Sequence, residues 1–579
     1  MGVGVDHLDA LLALGLNQVV GDRTAHLPRT ENEHSHAGEC TCCRGEGDGK
    51  VAGMSPALPT QPSSEGYGPT LVAHAYIAGE WRERAAGGTF ERRNPSNRAD
   101  VVAIAPVCGK AEVEQACAAA RQALPAWSAT PAPRRGAIIG RLAELLRARK
   151  ETLARFVTRE IGKPLREARG SVQEAIDTAE FFQSEGRRLY GQTVPSELPL
   201  KELYTFRRPI GVVGAISAGN FPIAVPSWKL VPALLCGNTA VWKASDDAPG
   251  IATLFARLWE EAGLPPGVLN LIHGGGKGGA GEALVDAISS GGIDKMSFTG
   301  STAVGRHIGE VAGRALQVPS LELGGKNPLV VMADANLDTA LEGATWASFG
   351  TGGQRCTSAG NLILDKPIAA EFRRRFVAAA KALKTGDPSR DDGVFYGPMM
   401  NERFLEGFLK QREVGLADGA KLLLDGARLG PETGWFVSPR IFDGVRIDMR
   451  VAQEECFGPT INLIEVDGLD EAIKVANGTP YGLSSAIYTK NAQAMLRFRS
   501  EIRAGMVSIN NSTTGAEAHL PFGGNGWSGN GTRESGIWVL DAYSRWQAVN
   551  MDLSDSLQLA QIDTAAEGAQ RGLDWAPLG

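Results

Sequence analysis

The sequence predicts an α/β protein of two doubly wound lobes with a cleft between them. Three observations carry this: a helical block, an alternation of short β-branched runs with helices from about Arg208, and a second alternating region after Leu323. In the block from Ala111 to about Tyr190, Leu142, Leu145, Leu146, Leu153, Phe156 and Val157 recur at three- and four-residue steps, forming one apolar face. The runs IGVVGAIS (210–217), NTAVWKAS (238–245), VLNLIHG (268–274) and DKMSFTGS (294–301) then read as strands, with GIATLFARLWEEAG (250–263) as an intervening helix. Such apolar strands are buried on both faces, as in a parallel sheet covered by helices. The second lobe holds NPLVVM (327–332), a helix around 366–384 and INLIEV (461–466). No internal repeat is visible.

Composition narrows the function classes. The chain has 579 residues, enough for several domains, and 43% apolar residues give it large cores. A net charge of −6 argues against a global basic field for nucleic acid. No apolar run approaches the roughly 18–20 residues of a membrane span. Asp6 and Asp9 stand where a signal peptide would carry Lys or Arg, and eight cysteines lack disulfide-scaffold spacing, so a reducing, cytoplasmic location is expected. Residues 1–70 are rich in Gly, Pro, Ser, Glu and His, and PALPTQPSSEGYGP (56–69) reads as a linker, so a flexible extension is expected. Its His34, His36, Cys40, Cys42 and Cys43 fit either a soft-metal site or a polar tail; their spacing matches no zinc module, and no metal is assigned.

Four segments offer chemistry at strand ends. SAGNFP (217–222) follows a strand; Asn220 can aim an amide at an oxyanion, or the segment is a turn. WKAS (242–245) ends a strand, and Lys243 with Asp246 suits adenosine ribose hydroxyls or a solvated terminus. FTGSTAVG (298–305) opens a helix, so Gly300 and Ser301 suit a pyrophosphate or a tight β–α turn. In LELGGK (321–326), Glu322 sits in an apolar segment that raises a carboxyl pKa, as a general base needs. Cys356 lies in the Gly-rich loop GTGGQRCTS (350–358), unlike Cys108, Cys117 and Cys236, which read as buried and structural. Arg355 and a helix expected after the loop would favour the thiolate. A Cys–His hydrolase would draw on His273, His307 or His519, which also read as loop or helix-surface residues.

The motifs GNFP, CGNTAVWKAS, FTGSTAVG, LELGGKNP, GQRCTS, EECFGP (454–459) and PFGGNGWSGNGTRESG (521–536) occur in an order and at a spacing that resemble the aldehyde dehydrogenase superfamily, over about residues 71–560. The resemblance implies Cys356 as nucleophile, Glu322 as general base and Asn220 as oxyanion donor. It implies Lys243 at the adenosine ribose, Gly300 and Ser301 at the pyrophosphate, Glu455 at the nicotinamide ribose and Phe457 beside it. The implied reaction is NAD(P)-dependent oxidation of an aldehyde through a Cys356 thiohemiacetal and thioester, hydrolysed by water that Glu322 activates. The implied layout is a Rossmann-like cofactor domain over 71–192 and 209–323 and a catalytic domain over 324–545. An oligomerisation element over 193–208 and 546–564 includes a protruding hairpin. Leu200, Leu203 and Phe206 would pair with another subunit in a dimer or tetramer.

Some positions depart from the family. Gly219 stands where many members carry an aromatic, so substrate size does not transfer. Asp246 replaces a Glu that NAD-preferring members carry; it still opposes a 2′-phosphate but reaches less far, so NAD is favoured and NADP stays compatible. Arg355, TGAE (514–517) and GTRESG look similar to the α-aminoadipic semialdehyde, antiquitin-like branch, in which such an Arg holds a substrate carboxylate. Arg355 either does so here or shapes the loop. Two rivals are weighed. A CoA-acylating enzyme would share the thioester but not the hydrolysis that Glu322 favours. A non-catalytic family member would lack nucleophile, base or oxyanion donor, and all three are present.

Overall fold

Every apolar run named above becomes a strand. The computed structural model describes residues 60–61, 67–430 and 432–561. The first seven-stranded sheet has the order Ser320–Glu322, Lys295–Thr299, Val212–Ile216, Thr239–Lys243, Leu269–Ile272, Ala75–Ile77, Glu80–Arg82. Its first five strands are parallel, and the last two add an antiparallel edge. Alternate side chains enter two different cores: Ala240 and Trp242 point to one and Val241 to the other. Helices Ala132–Ala148, Leu165–Glu185, Ala224–Leu235 and Pro249–Glu261 cover the first core, while Lys110–Ala129, Ala280–Ser289 and Thr302–Arg314 cover the second.

From Val212–Ile216 the chain winds outward through Thr239–Lys243 to Leu269–Ile272, then returns to place Lys295–Thr299 on the other flank. The winding reverses between these two neighbours. Their carboxyl ends diverge there and leave a crevice, the usual ligand position in such sheets. Asn220 follows one strand and Gly300 the other.

The second seven-stranded sheet runs Lys421–Leu424, Arg440–Asp443, Thr460–Val466, Ala359–Asp365, Asn327–Val331, Ser484–Tyr488, Met506–Ile509. Only Lys421–Leu424 is antiparallel to its neighbour. A third sheet pairs Lys201–Pro209 with Ser544–Asp552 on one side and Thr193–Val194 on the other. The expected hairpin is therefore present, but both edges of its long strand are covered within the same chain, so Leu203 and Phe206, expected to meet another subunit, pair with Asn550 and Gln547 instead. Leu200 and Phe206 are exposed, whereas Leu203 is half-buried.

The extension expected for 1–70 lies outside the described residues apart from 60–61 and 67–70, and so does the His34, His36, Cys40, Cys42 and Cys43 cluster. The tail expected over 546–564 is described to Gln561. Among the described residues no helix is long and apolar enough to cross a membrane. A four-stranded sheet of Thr60–Gln61, Thr70–Val72, Asn97–Pro106 and Thr89–Asn94 escaped the sequence reading. Half of its strand TFERRN is charged, and it shows no apolar run.

One buried charge ties the helical block to the first sheet. Glu160 is fully buried and accepts the Gly250 and Ile251 N–H groups at 2.7 and 3.0 Å, in the first turn of Pro249–Glu261. Burial pushes its carboxyl up to about 7, opposed by those two donors. Glu160→Ala orphans both, so the unfolding free energy should fall by about 2–3 kcal/mol. A urea midpoint that does not move would contradict this.

Candidate active site

A cleft of about 1270 Å³ reaches from the crevice of the first sheet to the amino edge of the second. Asn220, Gly300, Ser301, Arg355, Cys356, Glu455 and Phe457 all line it. The two sheets contribute opposite ends. Asn220 and Ser301 follow strands of the first sheet, whereas Cys356 precedes Ala359–Asp365 and Glu455 precedes Thr460–Val466 in the second. The strand-end rule that located the cofactor segments thus serves only one wall.

Cys356 is set by an unusual loop. Thr351, Gly352 and Gly353 hold φ of 54°, 61° and 69° in succession, a left-handed run that explains the two glycines. A Cβ on Gly353 would lie 2.2 Å from the Gly458 carbonyl. Thr351 is held by Glu167, which accepts both its hydroxyl and, at 3.2 Å, its N–H. The Gln354 side chain is fixed by the Thr351 and Pro398 carbonyls and by the Met400 N–H. Asn220 donates its amide N–H to the Gln354 carbonyl at 3.0 Å, two residues before Cys356. One amide proton of Asn220 is therefore used to orient it, leaving the second for a ligand oxygen.

The helix expected after the loop is absent: Cys356 leads through a turn into the strand Ala359–Asp365. Its thiol is accordingly not activated by a helix terminus. Burial pushes it up to about 12, with Glu322 and Glu455 adding to the effect. The side chain packs with Phe221, Val225, Trp228 and Phe522, an apolar wall that the sequence of the loop does not reveal.

Glu322 is 2% exposed and does not line the cleft. Neither carboxyl oxygen has a well-formed hydrogen bond, and the nearby Gly524 N–H lowers its pKa only slightly. Burial and then Glu534 hold the carboxyl well above its usual range. Beside it, Lys229 and Glu534 form a fully buried ion pair, with Lys229 also 3.1 Å from Ser297 Oγ. Lys229 was not singled out in the sequence, although a lone Lys in the otherwise apolar turns of Ala224–Leu235 is a detectable signal.

Of the remaining predicted residues, Gly300, Ser301, Glu455 and Phe457 line the cleft, whereas Lys243 and Asp246 do not. Lys243 ends its strand and pairs with Asp246 at 2.9 Å. Burial raises the Asp246 carboxyl, against the pull of Lys243. Ser301 caps Thr302–Arg314 with no side-chain cap bond, so its hydroxyl and the first-turn N–H groups are available to an anion. Glu455 accepts the Gly325 N–H at 3.1 Å, and burial pushes it up to about 7. The Phe457 and Phe404 rings lie 4.9 Å apart at the cleft wall. An ammonium beside a carboxylate, an open helix N-terminus and a second carboxylate form a donor set that fits two riboses joined by a diphosphate.

Arg355 does not stand free in the cleft. It pairs with Glu167 at 2.6 Å, donates to Thr351 and lies 4.6 Å over the Trp346 ring. Of the alternative histidines, His273 is buried rather than at a surface, His307 is exposed, and His519 lines the cleft paired with Glu517. Cys108, Cys117 and Cys236 are buried as expected.

Residues 81–549 match the aldehyde dehydrogenase family. A Haloferax volcanii α-ketoglutarate semialdehyde dehydrogenase is 40% identical over 473 residues, 81% of this chain and 97% of its own length. An α-ketoglutaric semialdehyde dehydrogenase of Bacillus subtilis is 37% identical over 477 residues, 82% of this chain and 97% of its own. The crystal structure of betaine aldehyde dehydrogenase from Staphylococcus aureus, in complex with NAD+, superimposes with a TM-score of 0.80 at 29% identity, covering 85% of this chain and 96% of that one.

The thiol environment gives a direct check. Below its pKa the thiolate fraction grows tenfold per pH unit, so alkylation of Cys356 by iodoacetamide should rise about tenfold per unit from pH 7 to 10. Peptide mapping by mass spectrometry isolates this cysteine. A plateau at or below pH 8 would show that the thiol is activated instead.

Proposed function

The chain belongs to the aldehyde dehydrogenase family, and on that premise we propose that Cys356, Asn220 and Glu322 carry out its reaction at the cleft. The reaction is the NAD(P)-dependent oxidation of an aldehyde to a carboxylic acid. The shared cleft supports these roles best: it holds Cys356, Ser301 and Glu455 together with Asn220, whose amide is anchored two residues before the thiol.

Cys356 adds to the aldehyde carbon, forming a thiohemiacetal. Negative charge develops on the former carbonyl oxygen, where the second Asn220 N–H and the Cys356 backbone N–H meet it. One such donor contributes roughly 3–4 kcal/mol to the barrier reduction. NAD, when bound, accepts the hydride that turns this adduct into a thioester. Lys243, Asp246 and Glu455 would hold the two riboses, Gly300 and Ser301 the pyrophosphate, and Phe457 would lie beside the nicotinamide ribose. Asp246 favours NAD, and its pairing with Lys243 keeps it short of a full barrier to NADP. Glu322 then removes a proton from water as it attacks the thioester. A carboxylate buried with little hydrogen bonding beyond the Gly524 N–H is a stronger base than one in water, which suits that step. With such a base present, hydrolysis is preferred over transfer to CoA; an acyl-CoA product instead of free acid would reverse that preference.

We place the cofactor domain at 71–192 and 209–323, the catalytic domain at 324–545 and the oligomerisation element at 193–208 and 546–564. The open edge of Ser544–Asp552, with Trp546 49% exposed, supports pairing into a dimer or tetramer. Five free cysteines among the described residues are in keeping with a reducing, cytoplasmic location. The substrate class proposed is an aldehyde that also bears a carboxylate, supported by the two semialdehyde-oxidising relatives and by the arginines near Cys356.

Cys356→Ala should abolish NADH formation with every aldehyde while NAD affinity by calorimetry stays within about twofold; retained turnover would sink the assignment. Asn220→Ala should lower kcat about 100- to 1000-fold with KM little changed. An effect confined to KM would move Asn220 from oxyanion stabilisation to ground-state binding.

A further inference from the structure

The geometry points to Arg166 as the residue that takes the substrate carboxylate, an inference that rests on the carboxylate-bearing class proposed above. Two guanidiniums approach the Trp346 ring. Arg355 lies 4.6 Å from its centroid and Arg166 5.2 Å. Their charges are spent differently. Arg355 is 10% exposed, is bound to Glu167 at 2.6 Å and also donates to Thr351, so its positive charge and part of its fork are already used. Arg166 is exposed, lines the same cleft, and has no carboxylate within ion-pair distance among the described residues.

Arg166 is nevertheless held in place. It sits in the first turn of Leu165–Glu185, just after Pro164, and its guanidinium lies over two aromatic rings, Trp346 and, at 5.3 Å, Phe395. Cation–π contact with two rings set at 84° to each other holds the guanidinium without using its N–H donors, which leaves them for a carboxylate. A pre-oriented arginine also loses less side-chain freedom on binding than an unstacked one.

The surroundings agree in sign. Glu167, the nearest acid in sequence, is neutralised by Arg355. Glu174, further along the same helix and also on the cleft wall, has its carboxyl pushed up to about 8 by burial and is mostly uncharged near neutrality. Of the other acids of this helix on the cleft wall, Glu180 pairs with Arg147 and Asp177 accepts from Gln173. Trp228 and Phe522, which pack 4.7 Å apart in the apolar cluster against Cys356, line the same cleft as Arg166. The cleft thus presents a thiol, apolar side chains and an unpaired guanidinium. That combination suits an ω-oxo acid whose methylenes bridge aldehyde and carboxylate.

The test compares 5-oxopentanoate with pentanal, which has the same chain length and no carboxylate, in the full-length enzyme with NAD. Wild type should prefer the oxo acid. Arg166→Met keeps the stacking length and removes the charge; it should raise KM for 5-oxopentanoate about 10- to 100-fold and leave pentanal within about twofold. Arg166→Lys should fall between, since a point charge replaces the fork. If wild type shows no preference for the oxo acid, the carboxylate-bearing class itself fails. If wild type prefers it and Arg166→Met keeps that preference, the class stands and Arg166 is overturned as its anchor. Equal losses with both aldehydes would also overturn it, by showing a structural role.

Discussion

The close crossing of the chain between its two sheets, at Gly324 and Gly325, is the constraint on which the site depends. The strand Ser320–Glu322 ends the first sheet and Asn327–Val331 begins in the second, four residues apart. A Cβ on Gly324 would lie 2.0 Å from Glu455 Oε2, and one on Gly325 would lie 2.4 Å from the Cys356 carbonyl. Gly325 N–H binds Glu455, and Asn327 Nδ2 binds the Cys356 and Ser358 carbonyls at 2.8 and 2.7 Å. The Cys356 loop and the Glu455 carboxylate are thus fastened to one short crossing. Glu322 lies at its start. Two bare Cα atoms let all three reach one place, and any side chain there would part them.

Burial governs the electrostatics of this junction. Cys356, Glu322 and Glu455 are all displaced toward their neutral forms by loss of water. Three anions in one buried space would repel strongly, so burial and mutual repulsion push all three in the same direction. Lys229 and Glu534 place a compensated pair of charges beside Glu322, lodged between two sheet-covering segments where neither sees solvent. Removing one partner would leave the other buried and unpaired, far costlier than losing a surface ion pair.

Much of this was legible in the sequence, for identifiable reasons. The parallel strands were visible because burial on both faces makes VVGAI or TAVWK apolar throughout. Asn220, Gly300, Ser301 and Cys356 were visible because they sit in glycine-bearing breaks beside such runs, Lys243 because it ends one, and Glu455 and Phe457 only through the family motif EECFGP. The strand after Cys356 was misjudged as a helix: AGNLILD is a short apolar run whose period does not separate the two. Its consequence, an unactivated thiol, was missed with it. The Glu167–Arg355 pair spans 188 positions, so no local pattern could announce it, and Arg355 looked free for substrate. Arg166 escaped notice because a single arginine in a helix is unremarkable until two aromatic rings, remote in sequence, are seen beneath it.

The central claim is that an acyl group is carried on Cys356 and released by water that Glu322 activates. Rapid acid quenching of Glu322→Gln after mixing with aldehyde and NAD, followed by peptide mass spectrometry, tests it directly. The account predicts one equivalent of NADH formed in a burst, slow turnover afterwards, and the mass of the acyl group on the peptide that carries Cys356. An unmodified Cys356 after that burst, or an acyl group on a different residue, would contradict it.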